Sequence, residues 1–147
     1  DAANNYIDRY FQRYPGVASF MQETKASAKK NGFVQTLMGR KLWLPEINSP
    51  NGPRRQAAER AAINAPMQGT AADLIKMAMI RMNNELEKNN FNAKMILQVH
   101  DELVFEVHKD QVAPFMSFVK ELMCKTLELK VPLEVDVGHG ENWEMAH

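Results

Sequence analysis

The residues best suited to chemistry lie in the run Gln98-Val99-His100-Asp101-Glu102-Leu103-Val104-Phe105-Glu106-Val107. Two adjacent carboxylates and a histidine stand between stretches that read as buried β-strand. Charge set among apolar residues costs desolvation energy unless a partner offsets it. A metal ion bound to nucleotide phosphates is one such partner. The donors are hard oxygens, with no nearby thiol and no HxxH or CxxC spacing, so the set suits Mg²⁺ better than Zn²⁺. Successive residues of a regular strand point to opposite faces, so Asp101 and Glu102 can share a ligand only from a tight turn. Strands on either side would then hold both carboxylates closely, as metal catalysis requires. A solvent-exposed hairpin tip is the plain alternative, because Asp is common at turns for conformational reasons alone.

A second constellation is polar. Gln56, Arg60 and Asn64 fall at i, i+4 and i+8 on a helix face, and Gln68 continues the row past Pro66. Planar amides and a guanidinium suit the DNA minor groove, whose purine N3 and pyrimidine O2 acceptors occur in every correct base pair. Such a row senses the shape of a pair without reading its sequence. Arg54 and Arg55 are candidate phosphate contacts. A solvated polar helix face and ordinary surface arginines explain the same residues without any ligand.

The elements that must position these groups follow from periodicity. Residues 2–13 read as a helix with Tyr6, Ile7, Tyr10 and Phe11 on its apolar face, broken by Pro15-Gly16. A second helix over about 16–30 buries Val17, Phe20 and Met21 and stops at Asn31-Gly32. Phe33–Thr36 and Lys41–Leu44 form a short hairpin. Residues 45–53 are the strongest loop signal and the expected boundary of the chain. Helix resumes near Arg54 and runs to Ala65, where Pro66 must kink or end it. A further helix over about 70–88 carries Ala72, Ile75, Met79, Met82 and Leu86 as one stripe, its methionines serving as core filler. Then come a strand at about 94–99, the Asp101 turn, a strand at about 103–108, and a helix at about 110–126 burying Val112, Phe115, Val119 and Leu122. Leu133–Val137 alternates apolar and acidic residues like a one-sided strand. Trp43 and Trp143 read as packing anchors. Helices packed on an antiparallel sheet make an α+β architecture.

Length and composition set outer bounds. The 147 residues suffice for one domain with a real core. The chain begins without methionine and is amphipathic at once, so it reads as a piece of something longer. No apolar run approaches a membrane span and no signal-peptide pattern opens the chain, so no membrane partner is expected. The lone Cys124 cannot form an internal disulfide, which fits a reduced, cytoplasmic setting. Formal net charge is zero, yet residues 1–60 hold ten Lys/Arg against five Asp/Glu, and residues 61–147 hold eight against thirteen. A basic half suited to phosphates and an acidic half suited to cations are thus both present.

Met95 to Val107 resembles the palm-domain C motif of family A DNA polymerases. Leu133 to His147, ending Gly-Glu-Asn-Trp-Glu-Met-Ala-His, is similar to the extreme C-terminus of bacterial members of that family. Ala57 to Asp73 resembles the helix of the family that lies against the primer–template, and Tyr10 to Val17 resembles its fingers region. The likeness spans essentially the whole chain. It implies an α+β, C-terminal fragment of a right-hand polymerase, residues 1–53 closing the fingers region and residues 54–147 forming palm. It further implies templated nucleotidyl transfer with two Mg²⁺ ions, acting on primer–template DNA and deoxynucleoside triphosphates. By resemblance Asp101 is one of two metal-holding aspartates, Glu102 an auxiliary carboxylate, and His100 a residue near the primer terminus. A hydrogen-bonded scaffold histidine is an equal reading of His100. Arg60, Asn64 and Gln68 resemble DNA-contacting positions; Gln56 gains less. A monomer within the full-length protein, at the bacterial nucleoid and serving replication and repair, is also implied. Nothing in the chain resembles the upstream metal aspartate, the nucleotide-gripping fingers helix, a thumb or a nuclease domain, so the chain alone is expected to be inactive. A non-catalytic primer–template binding module and a metal-dependent nuclease remain the competing classes.

Overall fold

The computed structural model describes residues 2–146; His147, the last position of the expected C-terminal motif, lies outside them. Two compact units divide the chain, one up to Thr70 and the other from Ala71 onward.

The first unit opens with α1 (Ala2–Arg13) and α2 (Pro15–Asn31). Pro15 sits at the start of α2, where a missing N–H costs no helical hydrogen bond. Gly32 ends that helix in the left-handed region at φ 77°, and its N–H donates to the Ala28 carbonyl at 2.8 Å. Val17 and Phe20 of α2, expected to be buried, are each 37% exposed. β1 (Phe33–Gln35) pairs antiparallel with β2 (Lys41–Trp43), as expected, with Phe33 opposite Trp43. Trp43 is no buried anchor: it stays exposed and meets Phe33 edge-on, ring centroids 5.1 Å apart. Residues 44–51 form turns, after which Asn51 Oδ1 accepts the Arg54 N–H at 3.2 Å and caps the next helix.

That helix, α3, runs unbroken from Gly52 to Lys88 with Pro66 inside it. The expectation of two helices separated near Pro66 is therefore corrected. Proline forfeits one backbone hydrogen bond, at about 3 kcal/mol, but strong helix formers stand on both sides and the β1–β2 loop is bonded to residues just beyond it. Ala58 and Ala62 of α3 complete a small core with Ala28, Val34, Leu44 and Ile47.

The second unit contains the remainder of α3, the hairpin β3 (Ala93–Val99) and β4 (Glu102–Val107), α4 (Val112–Cys124) and the single-turn α5 (Trp143–Ala146). Its core is Met82, Phe115 and Val119, flanked by Leu86, Phe91, Phe105, Phe118 and Leu122. Phe115 meets Phe91 and Phe105 edge-on at 5.3 Å each, the favoured geometry for aromatic pairs. Ala72, expected at the head of the buried stripe, is exposed. Trp143 is likewise exposed.

Leu133–Val137 is not a strand. Its side chains alternate between half-buried and exposed as the pattern predicts, but it joins no ladder among the described residues. Periodicity sets which faces are apolar; a strand also needs a neighbour to take its backbone hydrogen bonds. Among the described residues the strands pair only within the two hairpins, as two separate two-stranded antiparallel sheets, β1–β2 and β3–β4. The architecture remains α+β. No described helix is long and apolar enough to cross a membrane.

Candidate functional site

The acidic turn is the tip of the β3–β4 hairpin. Val99 and Glu102 form the last strand pair, so His100 and Asp101 make a two-residue loop. Twisted strands joined by so short a loop favour turns with positive φ. His100 supplies it at φ 52°, while Asp101 is not in that region. A non-glycine residue there costs about 1–2 kcal/mol. Gln98 Nε2 donates to the His100 carbonyl at 2.6 Å, and one such bond contributes about 1 kcal/mol, so it offsets part of that cost. The hairpin also carries a bulge: Met95 pairs with Phe105 and Leu97 with Val104, leaving Ile96 as the extra residue. Bulges sharpen local twist and re-aim the side chains beyond them. Glu106 stands opposite Lys94 in the ladder.

Asp101 and His100 are exposed, and Glu102 is half-buried. Asp101 leaves the turn and Glu102 opens β4, so the two carboxylates are adjacent at one end of a hairpin. Among the described residues, no group of three or more His, Cys, Asp or Glu is gathered to hold a metal ion. Two carboxylates without a full protein cage match the way Mg²⁺ is held, by one or two carboxylates together with phosphate and water. The donor chemistry therefore fits a partial Mg²⁺ site completed by other groups.

The polar row belongs to the first unit. Gln56, Arg60, Asn64 and Gln68 all lie on α3, and all four are exposed. Each step of four residues advances about 40° around the helix, so the row winds slowly rather than running straight. Ala58 and Ala62, two positions away and thus about 200° around the helix, face the core. The polar row holds no acidic residue; the nearby Glu59 is bonded to Lys29 at 2.7 Å. That bond, together with the Lys29 charge, holds the Glu59 carboxyl below its ordinary value of 4.5. Arg54 is exposed; Arg55 is half-buried and donates from Nη1 to the Ser49 carbonyl at 2.9 Å, so part of its guanidinium serves the preceding loop.

Several positions escaped the sequence reading. Gln98 was visible only as part of a motif, and its bond to the turn depends on a backbone conformation that no pattern encodes. Arg40, Gly69 and Thr70 form a further contact set beside Gln68. A lone glycine in a helical stretch is a known sign of close approach, and Gly69 was the signal available.

A family model, that of DNA polymerase family A, matches residues 1–145. The chain is 55% identical over 145 residues to DNA polymerase I of Pseudomonas aeruginosa, covering 99% of this chain and 16% of that protein. It is 43% identical over 146 residues to DNA polymerase I of Mycobacterium tuberculosis, again covering 99% of this chain and 16% of that protein. Among solved structures it is similar to the POL domain of Pol1 from M. smegmatis in complex with DNA primer-template and dNTP. That match has a TM-score of 0.95 and 42% identity, and it covers 99% of this chain and 26% of the other. The chain thus spans about a sixth of the length of the curated relatives it matches.

Proposed function

The chain belongs to DNA polymerase family A, and from that premise we propose that it supplies part of the active site and primer–template track of a DNA-directed DNA polymerase. Residues 1–53 would close the fingers region and residues 54–147 would form palm. The observation that carries this reading is the Asp101 turn, an exposed carboxylate fixed at the tip of a bulged hairpin in a chain matched by the family over residues 1–145. The related structure's primer-template and dNTP support the corresponding partners here.

In this reading Asp101 holds Mg²⁺, with Glu102 beside it as an auxiliary carboxylate and an upstream aspartate completing the site. Mg²⁺ held by these carboxylates would supply charge stabilisation to an in-line phosphoryl displacement. The protein's own work is positioning. The Gln98–His100 bond keeps the turn in one conformation, so the Asp101 carboxylate does not have to be reorganised when substrate arrives. His100 stands next to the primer terminus. Gln56, Arg60, Asn64 and Gln68 donate to minor-groove acceptors common to all correct pairs, and Arg54 and Arg55 take phosphates. Replication and repair in the bacterial cytoplasm, by a monomeric enzyme, is the setting this implies.

The test uses a chimera in which this chain replaces the matching segment of the Pseudomonas aeruginosa DNA polymerase I. With Mg²⁺, primed template and the four deoxynucleoside triphosphates, the chimera is expected to extend the primer, and a version lacking the segment is not. Degradation of primed DNA with Mg²⁺ and no nucleotides, without extension, would assign the chain to a nuclease instead. Duplex binding with neither activity would leave a DNA-binding module.

A further inference from the structure

Two residues of α3 just past Pro66, Gly69 and Thr70, are held from outside by the loop that joins β1 to β2. That loop is itself closed tightly. Thr36 N–H donates to the Arg40 carbonyl at 2.9 Å, Gly39 N–H to the Thr36 carbonyl at 2.9 Å, and Arg40 N–H to Thr36 Oγ1 at 3.2 Å. Gly39 turns the chain at φ 83°. Three contacts then reach α3. Arg40 Nη2 donates to the Gly69 carbonyl at 3.0 Å, and Leu37 N–H donates to Thr70 Oγ1 at 2.9 Å. The Thr36 methyl lies so close to Gly69 that a Cβ there would sit 2.6 Å from it. Thr36 is the one buried polar residue among the described residues, 7% exposed. Thr70 Oγ1 in turn donates to the Pro66 carbonyl.

These contacts fall on the residues that flank Gln68 in the chain, Pro66 before it and Gly69 and Thr70 after it, where α3 is least able to hold its own phase. Pro66 supplies no N–H to the preceding turn, so the helix on its two sides is coupled less firmly than elsewhere. Neighbouring helix positions differ by about 100° in direction, so a small change of twist at Pro66 would carry Gln68 out of line with Asn64. We propose that Arg40, acting through Gly69 together with Thr36 and Thr70, is a positioning residue that fixes the phase of α3 beyond Pro66 and thereby aims Gln68 at the duplex. The proposal rests on the reading of Gln68 as a minor-groove contact. Arg40 itself touches no DNA.

The test measures primer–template affinity and its salt dependence in the chimera, for Arg40→Ala, Gln68→Ala and the double variant. Each single variant is expected to weaken binding by about fivefold, the worth of one hydrogen bond. The double variant is expected to match Gln68→Ala within about twofold, because both changes remove the same contact. The slope of log affinity against log salt is expected to stay at the parent value in Arg40→Ala. A slope reduced by about one would mean that Arg40 contacts a phosphate directly, overturning the proposal. Gly69→Ala provides a second route without any change of charge. Its methyl would press on the Thr36 methyl, and it is expected to reproduce the Arg40→Ala loss. A silent Gln68→Ala would remove the underlying reading of Gln68 and this inference with it. A weakened Gln68→Ala beside a silent or fully additive Arg40→Ala would overturn this inference alone.

Discussion

His100 occupies left-handed backbone at φ 52°, where a β-branched side chain is strained. His100→Val is expected to lower stability, because branching at Cβ adds to the strain that His100 already carries, while His100→Gly is expected to raise it by about 1 kcal/mol, both read by urea unfolding of the 147-residue chain. A valine variant as stable as the parent would mean the turn does not have this conformation. The position of the turn was legible in the residues, because Asp101 and Glu102 interrupt apolar strand sequence and charge there must be exposed or partnered. The φ of His100 and the Gln98 bond were not legible: both follow from how two strands close, which depends on register rather than on residue type. The same distinction separates Arg54 from Arg55. They are alike in sequence, yet Arg55 gives a donor to the Ser49 carbonyl.

At the scale of elements, α1, α2, both hairpins and α4 could be read from apolar spacing and from glycine and proline punctuation. The two failures share a cause. Pro66 would break an isolated helix, and alternation alone marks Leu133–Val137 as a strand although it has no partner among the described residues; tertiary context decides both. The α3 row leads to a direct expectation: Asn64→Ala and Gln68→Ala in the chimera should weaken primer–template binding or relax discrimination against mismatched termini, with smaller effects on the rate at saturating DNA. Matched and mismatched extension equal to the parent in both variants would remove the minor-groove assignment. In the second unit, Phe115→Ala is expected to cost about 3–5 kcal/mol, as for a buried aromatic truncated in a packed core, measured by denaturant unfolding. The Lys29–Glu59 bond joins α2 to α3 and carries a pH signature. Because the folded Glu59 carboxyl is held below 4.5, its contribution is present above that value and is lost as pH falls through the lower folded one. The stability difference between the parent chain and Glu59→Gln is therefore expected to shrink in acid.

For the molecule as a whole, membership in DNA polymerase family A and a share of about a sixth of its relatives' length set the expectation. On the proposed reading a metal site would take a carboxylate beyond Asp101 and Glu102, so the 147-residue chain on its own is expected to give no templated synthesis with Mg²⁺ and nucleotides. Measurable primer extension by the purified chain would show that these residues suffice. The α+β class was readable from the mixture of periods, and the acidic hairpin and polar helix row were readable as separate features. The most direct test of the central claim is Mg²⁺-dependent single-turnover primer extension by the chimera, with and without Asp101→Ala. Removal of a metal carboxylate takes away several kcal/mol of transition-state stabilisation, which at about 1.4 kcal/mol per decade is on the order of a thousandfold in rate. The account predicts that fall, with primer–template affinity kept close to the parent value. Extension by Asp101→Ala at the parent rate would contradict it and leave the acidic turn as no more than a turn.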